Sequence, residues 1–252
     1  MIIDVLKEKL EKCEKIFATM HGEMNSTRLP VIYKGSGLDF IVMDLEHGAF
    51  NPEMIGDFLQ ICNIVELPVI IRVQDCEYHC ISKPLDMGAD GIMIPRTETM
   101  EQVETAIQSM RFAPYGKKGV GGRGLLRKGE AVYDFNKNRL LFLQIESKEG
   151  IDLLDEILTV HGDQVAGIII GPYDMAVSSG VGYDLNADVM VANIRKTIEI
   201  CKKHGKSIGM FMDDENVAQR WYNEGMNIMW VGAEISFISS GLCQVKKRID
   251  EF

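Results

Sequence analysis

Short apolar runs rich in Val and Ile alternate along this chain with longer stretches whose apolar positions recur at helical spacing. That alternation is the pattern of a parallel sheet joined by crossover helices. The candidate strands are "KIFATM" (15–20), "DFIVMD" (39–44), "LPVIIRV" (67–73), "DGIMIP" (90–95), "LLFLQIE" (140–146), "VAGIIIG" (165–171), "KSIGMF" (206–211) and "NIMWVG" (227–232). Between them, "PEMIGDFLQICNIV", "TMEQVETAIQSM", "ANIRKTIEICKKHG" and "DENVAQRWYNEG" read as helices, and Gly205 and Gly225 close the last two as C-cap signals. Eight strands separated by helices predict a (β/α)₈ TIM barrel, with an open doubly wound sheet as the alternative.

Composition narrows the class. A chain of 252 residues with 46% hydrophobic content can bury a large core as one domain, residues 1–252, and no low-complexity linker divides it. The opening "MIIDVLKEKLEKCEK" is charged throughout and reads as an amphipathic helix. A cytoplasmic location is therefore expected. A formal charge of −10 argues against nucleic acid or an anionic membrane as the main partner. Six scattered cysteines fit a reducing compartment. "DCEYHC" groups Cys76, His79 and Cys80, but a zinc site needs a fourth ligand, and a helix start is the simpler reading.

The irregular part is "RFAPYGKKGVGGRGLLRKGE" (111–130), long, basic and rich in glycine. Gly119, Gly121 and Gly124 have the G-x-G-x-x-G spacing, yet no strand leads into them, so the segment reads as a lid or anion loop and not as a dinucleotide turn.

In a TIM barrel the active site lies at the C-terminal ends of the strands. Those ends carry Asp44, Glu46 and His47 (in "FIVMDLEHGAF"), Arg72, Arg96, Gln144, Glu146, and the Gly171-Pro172-Tyr173-Asp174 turn. The opposite ends carry mostly turn residues. Glu146 and Asp174 end consecutive strands and should be neighbours. Two carboxylates without Cys or His make a hard oxygen site suited to Mg²⁺ or Mn²⁺, with Co²⁺ also compatible. Equally, both could be helix N-caps. Arg72, inside an apolar strand, needs an anionic partner, either a substrate or a structural Asp44 or Glu46. His47 is a candidate base or an ordinary loop histidine.

"DLEHG", "LDMGADGIMIP", "RFAPYGKKGVGG", "LQIES" and "IIIGPYDM" together resemble the class II, metal-dependent pyruvate aldolases, typified by the 2,4-dihydroxyhept-2-ene-1,7-dioate and 2-keto-3-deoxy-sugar-acid aldolases. The likeness runs from about residue 16 to residue 232. It implies a (β/α)₈ barrel assembled as a homo-hexamer by exchange of the last helix. It also implies reversible cleavage of a 4-hydroxy-2-oxo acid to pyruvate and an aldehyde. By this resemblance Glu146 and Asp174 bind the metal, His47 paired with Asp86 moves protons, and Arg72 and Gln144 face the pyruvyl group. Gly171, Pro172 and Tyr173 line its carboxylate with backbone groups. Asp44 and Glu46 become the groups that orient His47.

The chain departs from the family pattern in three places. Met20 and His21 stand where many relatives have a tryptophan, Arg96 where they have a methionine, and the "GVGGRG" loop, with Arg123, is shortened. Three competing readings are a Schiff-base aldolase using Lys148, a lyase acting on an acyl-CoA ester, and a non-catalytic barrel.

Overall fold

A computed structural model describes residues 2–122, 126–127 and 129–252. Its strands are β1 (Ile16–His21), β2 (Phe40–Asp44), β3 (Val69–Arg72), β4 (Gly91–Ile94), β5 (Leu140–Ile145), β6 (Gly167–Ile170), β7 (Ser207–Met212) and β8 (Ile228–Ala233). They close into one barrel in chain order. β1 pairs in parallel with both β2 and β8, so there is no open edge and the doubly wound alternative is excluded. Each of the eight apolar runs became a strand.

The helices among the described residues are α1 (Ile2–Glu11), α2 (Leu29–Gly35), α3 (Pro52–Ile64), α4 (Tyr78–Met87), α5 (Met100–Met110), α6 (Phe135–Asn138), α7 (Lys148–His161), α8 (Pro172–Ser178), α9 (Asp188–Lys203), α10 (Glu215–Glu224) and α11 (Glu234–Asp250). Their ends follow local chemistry. Thr99 and Gln102 form a capping box at the start of α5. Gly225 stops α10 at φ 113°, in the left-handed region where a side chain would be strained. The "DCEYHC" stretch is indeed a helix start. Cys76 Sγ donates to the Gln102 carbonyl at 3.1 Å, and among the described residues no group of three or more His, Cys, Asp or Glu is arranged to hold a metal.

Strand alternation sorts the core into two parts. Ala18, Phe40, Val42, Ile70, Met93, Phe142, Ile169, Ile228 and Trp230 fill the barrel, together with Ile3, Leu6 and Leu10 of α1. The alternate positions, such as Ile41, Ile71, Leu143 and Ile170, pack outward against the helices. α1 therefore plugs the N-terminal mouth. Ser207 Oγ donates to the Leu10 carbonyl at 2.6 Å and Lys9 Nζ pairs with Asp39 at 2.6 Å, which seats the plug.

The N-terminal end is more than a set of turns, contrary to expectation. Asp90 Oδ2 accepts from the Val69 N–H at 3.0 Å, and both Asp90 oxygens engage the Arg127 guanidinium. Glu130 accepts two bonds of 2.9 Å from Arg139 and one of 2.9 Å from Asn138. All of these charged groups are buried. Sequence pattern does not show such pairs: Asp90 and Arg127 are 37 positions apart, and Glu130 and Arg139, only nine apart, lie in a segment with no regular period.

Among the described residues no helix is long and apolar enough to cross a membrane.

Candidate active site

The inward register that places Val42, Ile70 and Phe142 in the barrel core places Asp44, Arg72, Gln144 and Glu146 at the top of the same lumen. Asp44 and Arg72 are register partners on adjacent strands. Arg72 Nε donates to Asp44 Oδ1 at 2.8 Å and Nη2 to Oδ2 at 2.7 Å, a two-pronged buried ion pair. Its third nitrogen, Nη1, lies 3.5 Å from Glu46 Oε2. The structural partner proposed for Arg72 is thus real. Burial alone would lower the Arg72 pKa, and the Asp44 hydrogen bond and the surrounding negative charges outweigh it and hold the cation charged.

Glu146 does not cap a helix. Ser147 is the N-cap of α7, and its hydroxyl accepts from the Gly150 N–H at 3.2 Å. The Glu146 carboxylate instead turns into the rim. There Oε1 accepts from the Arg96 N–H at 2.7 Å and Oε2 from the Gln144 amide. Burial pushes its pKa up to about 7; the two hydrogen bonds pull the other way, while Asp174 and Glu46 reinforce the rise. Gly171 makes room for it, because a Cβ there would fall 2.0 Å from Glu146 Oε2. Gln144 Oε1 is buried and has no hydrogen-bond partner among the described residues.

Asp174 lies in the first turn of α8, whose N-cap is Gly171, so it is not a cap either. It is exposed and close enough to Glu146 to raise that group's pKa. Tyr173 sends its hydroxyl away from this cluster, to Asp213 Oδ2 at 2.6 Å, so only backbone of the Gly171–Tyr173 turn is available to a ligand beside Glu146.

His47 and Asp86 are not joined. The His47 side chain is 69% exposed, with Nε2 3.8 Å from Glu46 Oε2. Asp86, on α4, is held by Lys118, and no hydrogen bond joins Asp86 to His47. The pairing that the resemblance implies is therefore not made within a single chain. Loop 116–122 packs beside Asp86: Lys118 is buried against the Phe112 and Phe135 rings (5.4 and 5.7 Å), and Gly119 N–H donates to Tyr78 Oη at 2.9 Å. Arg123 and Gly124 lie outside the described residues.

Arg96 is the rim residue that sequence reasoning undervalued. Its φ of 47° turns the N–H onto Glu146, and its Nε lies 3.4 Å from Glu46 Oε1. A non-glycine left-handed residue leaves no mark in sequence. The remaining departures fall on opposite sides of β1. Met20 packs against the barrel interior, whereas His21 is buried outside it, stacked on Phe58 at 4.1 Å and hydrogen-bonded to Tyr33. Lys148, the Schiff-base candidate, is 80% exposed and paired with Asp152, outside the lumen.

A closed barrel whose C-terminal rim gathers the buried Glu146, the exposed Asp174 and a buried arginine has the layout of a TIM-barrel active site, and comparison with known proteins gives the family. The model of the HpcH/HpaI aldolase/citrate lyase family matches residues 20–240, and the chain belongs to that family. It is an aldolase, a carbon–carbon lyase. A hydroxypyruvate/pyruvate aldolase of Delftia acidovorans is 30% identical, covering 92% of this chain and 87% of the relative. A 2-keto-3-deoxy-L-rhamnonate aldolase of Escherichia coli is 28% identical over 97% of this chain and 92% of the relative. Among solved structures, the HpcH/HpaI aldolase of Desulfitobacterium hafniense superposes with a TM-score of 0.88 at 23% identity, covering 98% of this chain and 97% of the other.

Proposed function

We propose that the chain reversibly cleaves a 4-hydroxy-2-oxo acid to an aldehyde and pyruvate or hydroxypyruvate, with Glu146 and Asp174 holding a divalent cation. The observation that carries this is Glu146 itself. A buried carboxylate pushed up to about 7, next to a second carboxylate, is a site short of positive charge. The donors fit a hard ion: two carboxylates, the unpartnered Gln144 oxygen nearby, and a glycine that keeps one face of Glu146 clear. Mg²⁺ and Mn²⁺ suit this oxygen set, as does Co²⁺. When bound, such an ion supplies Lewis-acid polarisation of the substrate's 2-oxo oxygen. The names of the relatives support the choice of 2-oxo acid.

The chain's own residues do the rest. Arg72, fixed by Asp44, presents Nη1 to the negative charge that develops on the 2-oxo oxygen as the C3–C4 bond breaks to give the enolate, or, in the reverse direction, as pyruvate loses its C3 proton. The backbone of Gly171–Tyr173 receives the substrate carboxylate. His47, open to solvent beside Glu46, shuttles the proton of the aldol hydroxyl. Burial raises the pKa of Glu46, so it suits a partner that shares a proton with His47. In this reading Asp86, locked by Lys118, acts only after that ion pair opens. His47→Ala should slow cleavage about tenfold or more. If Asp86→Asn matches it, the histidine–aspartate dyad is restored; a near-normal Asp86→Asn leaves Glu46 as the partner.

The metal reading is tested by pyruvate release from a panel of 4-hydroxy-2-oxo acids. EDTA should abolish it and Mg²⁺ or Mn²⁺ restore it, and Glu146→Gln should lose about a thousandfold in kcat with the fold intact by circular dichroism. Activity indifferent to EDTA would overturn it.

We also propose a homo-oligomer built through α11. Only Glu234 of that helix is buried, its carboxylate accepting from the N–H groups of Gly22, Glu23 and Met24, while Phe237, Ile238, Leu242, Val245 and Ile249 are exposed. A cavity of about 400 Å³ lies beside its start, lined by Phe17, Leu29, Ile32 and Tyr33. An apolar stripe of this kind marks an interface. Light scattering should find more than one chain per particle, and a monomer would exclude it.

A further inference from the structure

The N-terminal end of the barrel holds a cleft that the proposed chemistry does not use. It has a volume of about 130 Å³ and lies where α1, the end of α5, α6, the start of β5 and the loops before β6 and β7 meet. That is room for about four waters at ~30 Å³ each, the scale of one small oxyanion. Its walls carry Lys7, Arg111, Lys137, Arg139 and Lys206 against Glu11 and Asp163. A net positive wall is unexpected in a chain of formal charge −10.

The central group is Arg111. Its side chain is buried, with the residue only 6% exposed, yet among the described residues it has no ion-pair partner. Nη1 donates to the Arg139 carbonyl at 2.9 Å, and Nε is buried with no hydrogen-bond partner among the described residues. Glu130, the buried carboxylate at this end, is already committed to Arg139, to the Asn138 amide and to the Arg127 N–H, and among the described residues neither Glu11 nor Asp163 of the cleft wall forms an ion pair with Arg111. Burial, and then the charge of Arg139, pull the Arg111 pKa down to about 10. Among the described residues the other buried guanidinium groups are matched: Arg72 with Asp44, Arg127 with Asp90, Arg139 with Glu130. Desolvating a guanidinium without an anion is costly, and Arg111 is the exception that borders a cleft large enough for one.

We propose that this cleft is a second ligand site, for the phosphate group of free phosphate or of a small phosphomonoester, with Arg111 as its buried anchor and Lys137 and Lys7 as its outer cations. A tetrahedral oxyanion offers acceptors in several directions, as donors arriving from α1, α5 and α6 require. A planar monocarboxylate would satisfy Arg111 and leave the lysines unmet. Because the cleft joins the α1 plug to the first residues of β5, an occupant ties the floor of the barrel together. Binding therefore stabilises the folded chain by linkage.

The test is isothermal titration with inorganic phosphate, with glycerol 3-phosphate and with succinate, on the full chain in metal-free buffer. Saturable phosphate binding should raise the melting temperature by a few degrees at saturation. Lys137→Glu, an exposed change, should weaken phosphate about tenfold while leaving kcat for aldol cleavage unchanged, and Arg111→Met should remove binding. Binding of glycerol 3-phosphate as tightly as phosphate assigns a phosphomonoester; binding of phosphate alone assigns the free anion. Phosphate affinity unaltered in Lys137→Glu, no saturable binding in the unmodified chain, or succinate binding in place of both phosphates would overturn the proposal. Since Lys137 is at the surface, the outcome does not depend on whether Arg111→Met folds.

Discussion

The two ends of the barrel solve the same problem with opposite remainders. Each buries arginine against carboxylate: Arg72 with Asp44 at the C-terminal rim, Arg127 with Asp90 and Arg139 with Glu130 at the N-terminal floor. At the rim, Glu46, Glu146 and Asp174 remain beyond the Asp44–Arg72 pair, with Arg96 as the nearby cation. At the floor, Arg111 remains after the pairs are made. The unmatched charge, and not the number of charges, states what each end is short of. The rim wants a cation and the floor an anion.

Removing a matched partner at the floor should have the largest effect on stability. Arg139→Met would leave Glu130 buried and uncompensated, with an expected loss of about 3–5 kcal/mol in denaturant unfolding. If the loss were below about 1 kcal/mol, the floor pairs would be solvated and the contrast between the ends would fail.

Arg72 separates pairing from catalysis at the rim. Arg72→Lys keeps a cation near Asp44 but cannot reproduce the two-pronged bond while leaving a free N–H, so kcat should fall about a hundredfold with modest loss of stability. Arg72→Ala should in addition destabilise the protein, because Asp44 stays buried. Unchanged kcat in the lysine variant would make Arg72 purely structural.

The smallest effect is in pH. Arg139 holds the Glu130 carboxylate below its ordinary value, against the rise that burial alone would cause. A depressed folded-state pKa adds stability that is complete above the unfolded value near 4.5 and lost as pH falls through the folded value. Unfolding free energy should therefore decline on acidification below about pH 4.5, and Glu130→Gln should flatten that part of the profile. An identical slope in the variant would place the acid-sensitive group elsewhere.

Much of the rim was legible because strand periodicity and strand ends are local properties. A run such as "LLFLQIE" fixes both that a strand forms and that Gln144 and Glu146 share a face with Leu140 and Phe142. Residue type at those ends then suggests oxygen chemistry. The partner of each side chain was not legible. Asp86 and Lys118 meet across 32 positions, and Asp44 and Arg72 across 28. The left-handed backbone that aims Arg96 N–H at Glu146 has no signature in a lone arginine.

The floor was legible least of all. Arg111, Arg127 and Arg139 sit in or beside a segment that reads as a basic loop, and a basic loop looks solvated. By itself, then, the sequence determined the eight strands, the alternating faces along them and the strand ends that carry the polar residues, since hydrophobic alternation sets which side chains point inward; closure into a barrel was decided by the pairing of β1 with β8. Tertiary structure alone decided which charges are matched. Ion pairing depends on distance and burial, and those are set only when strands and loops far apart along the chain close around a common axis.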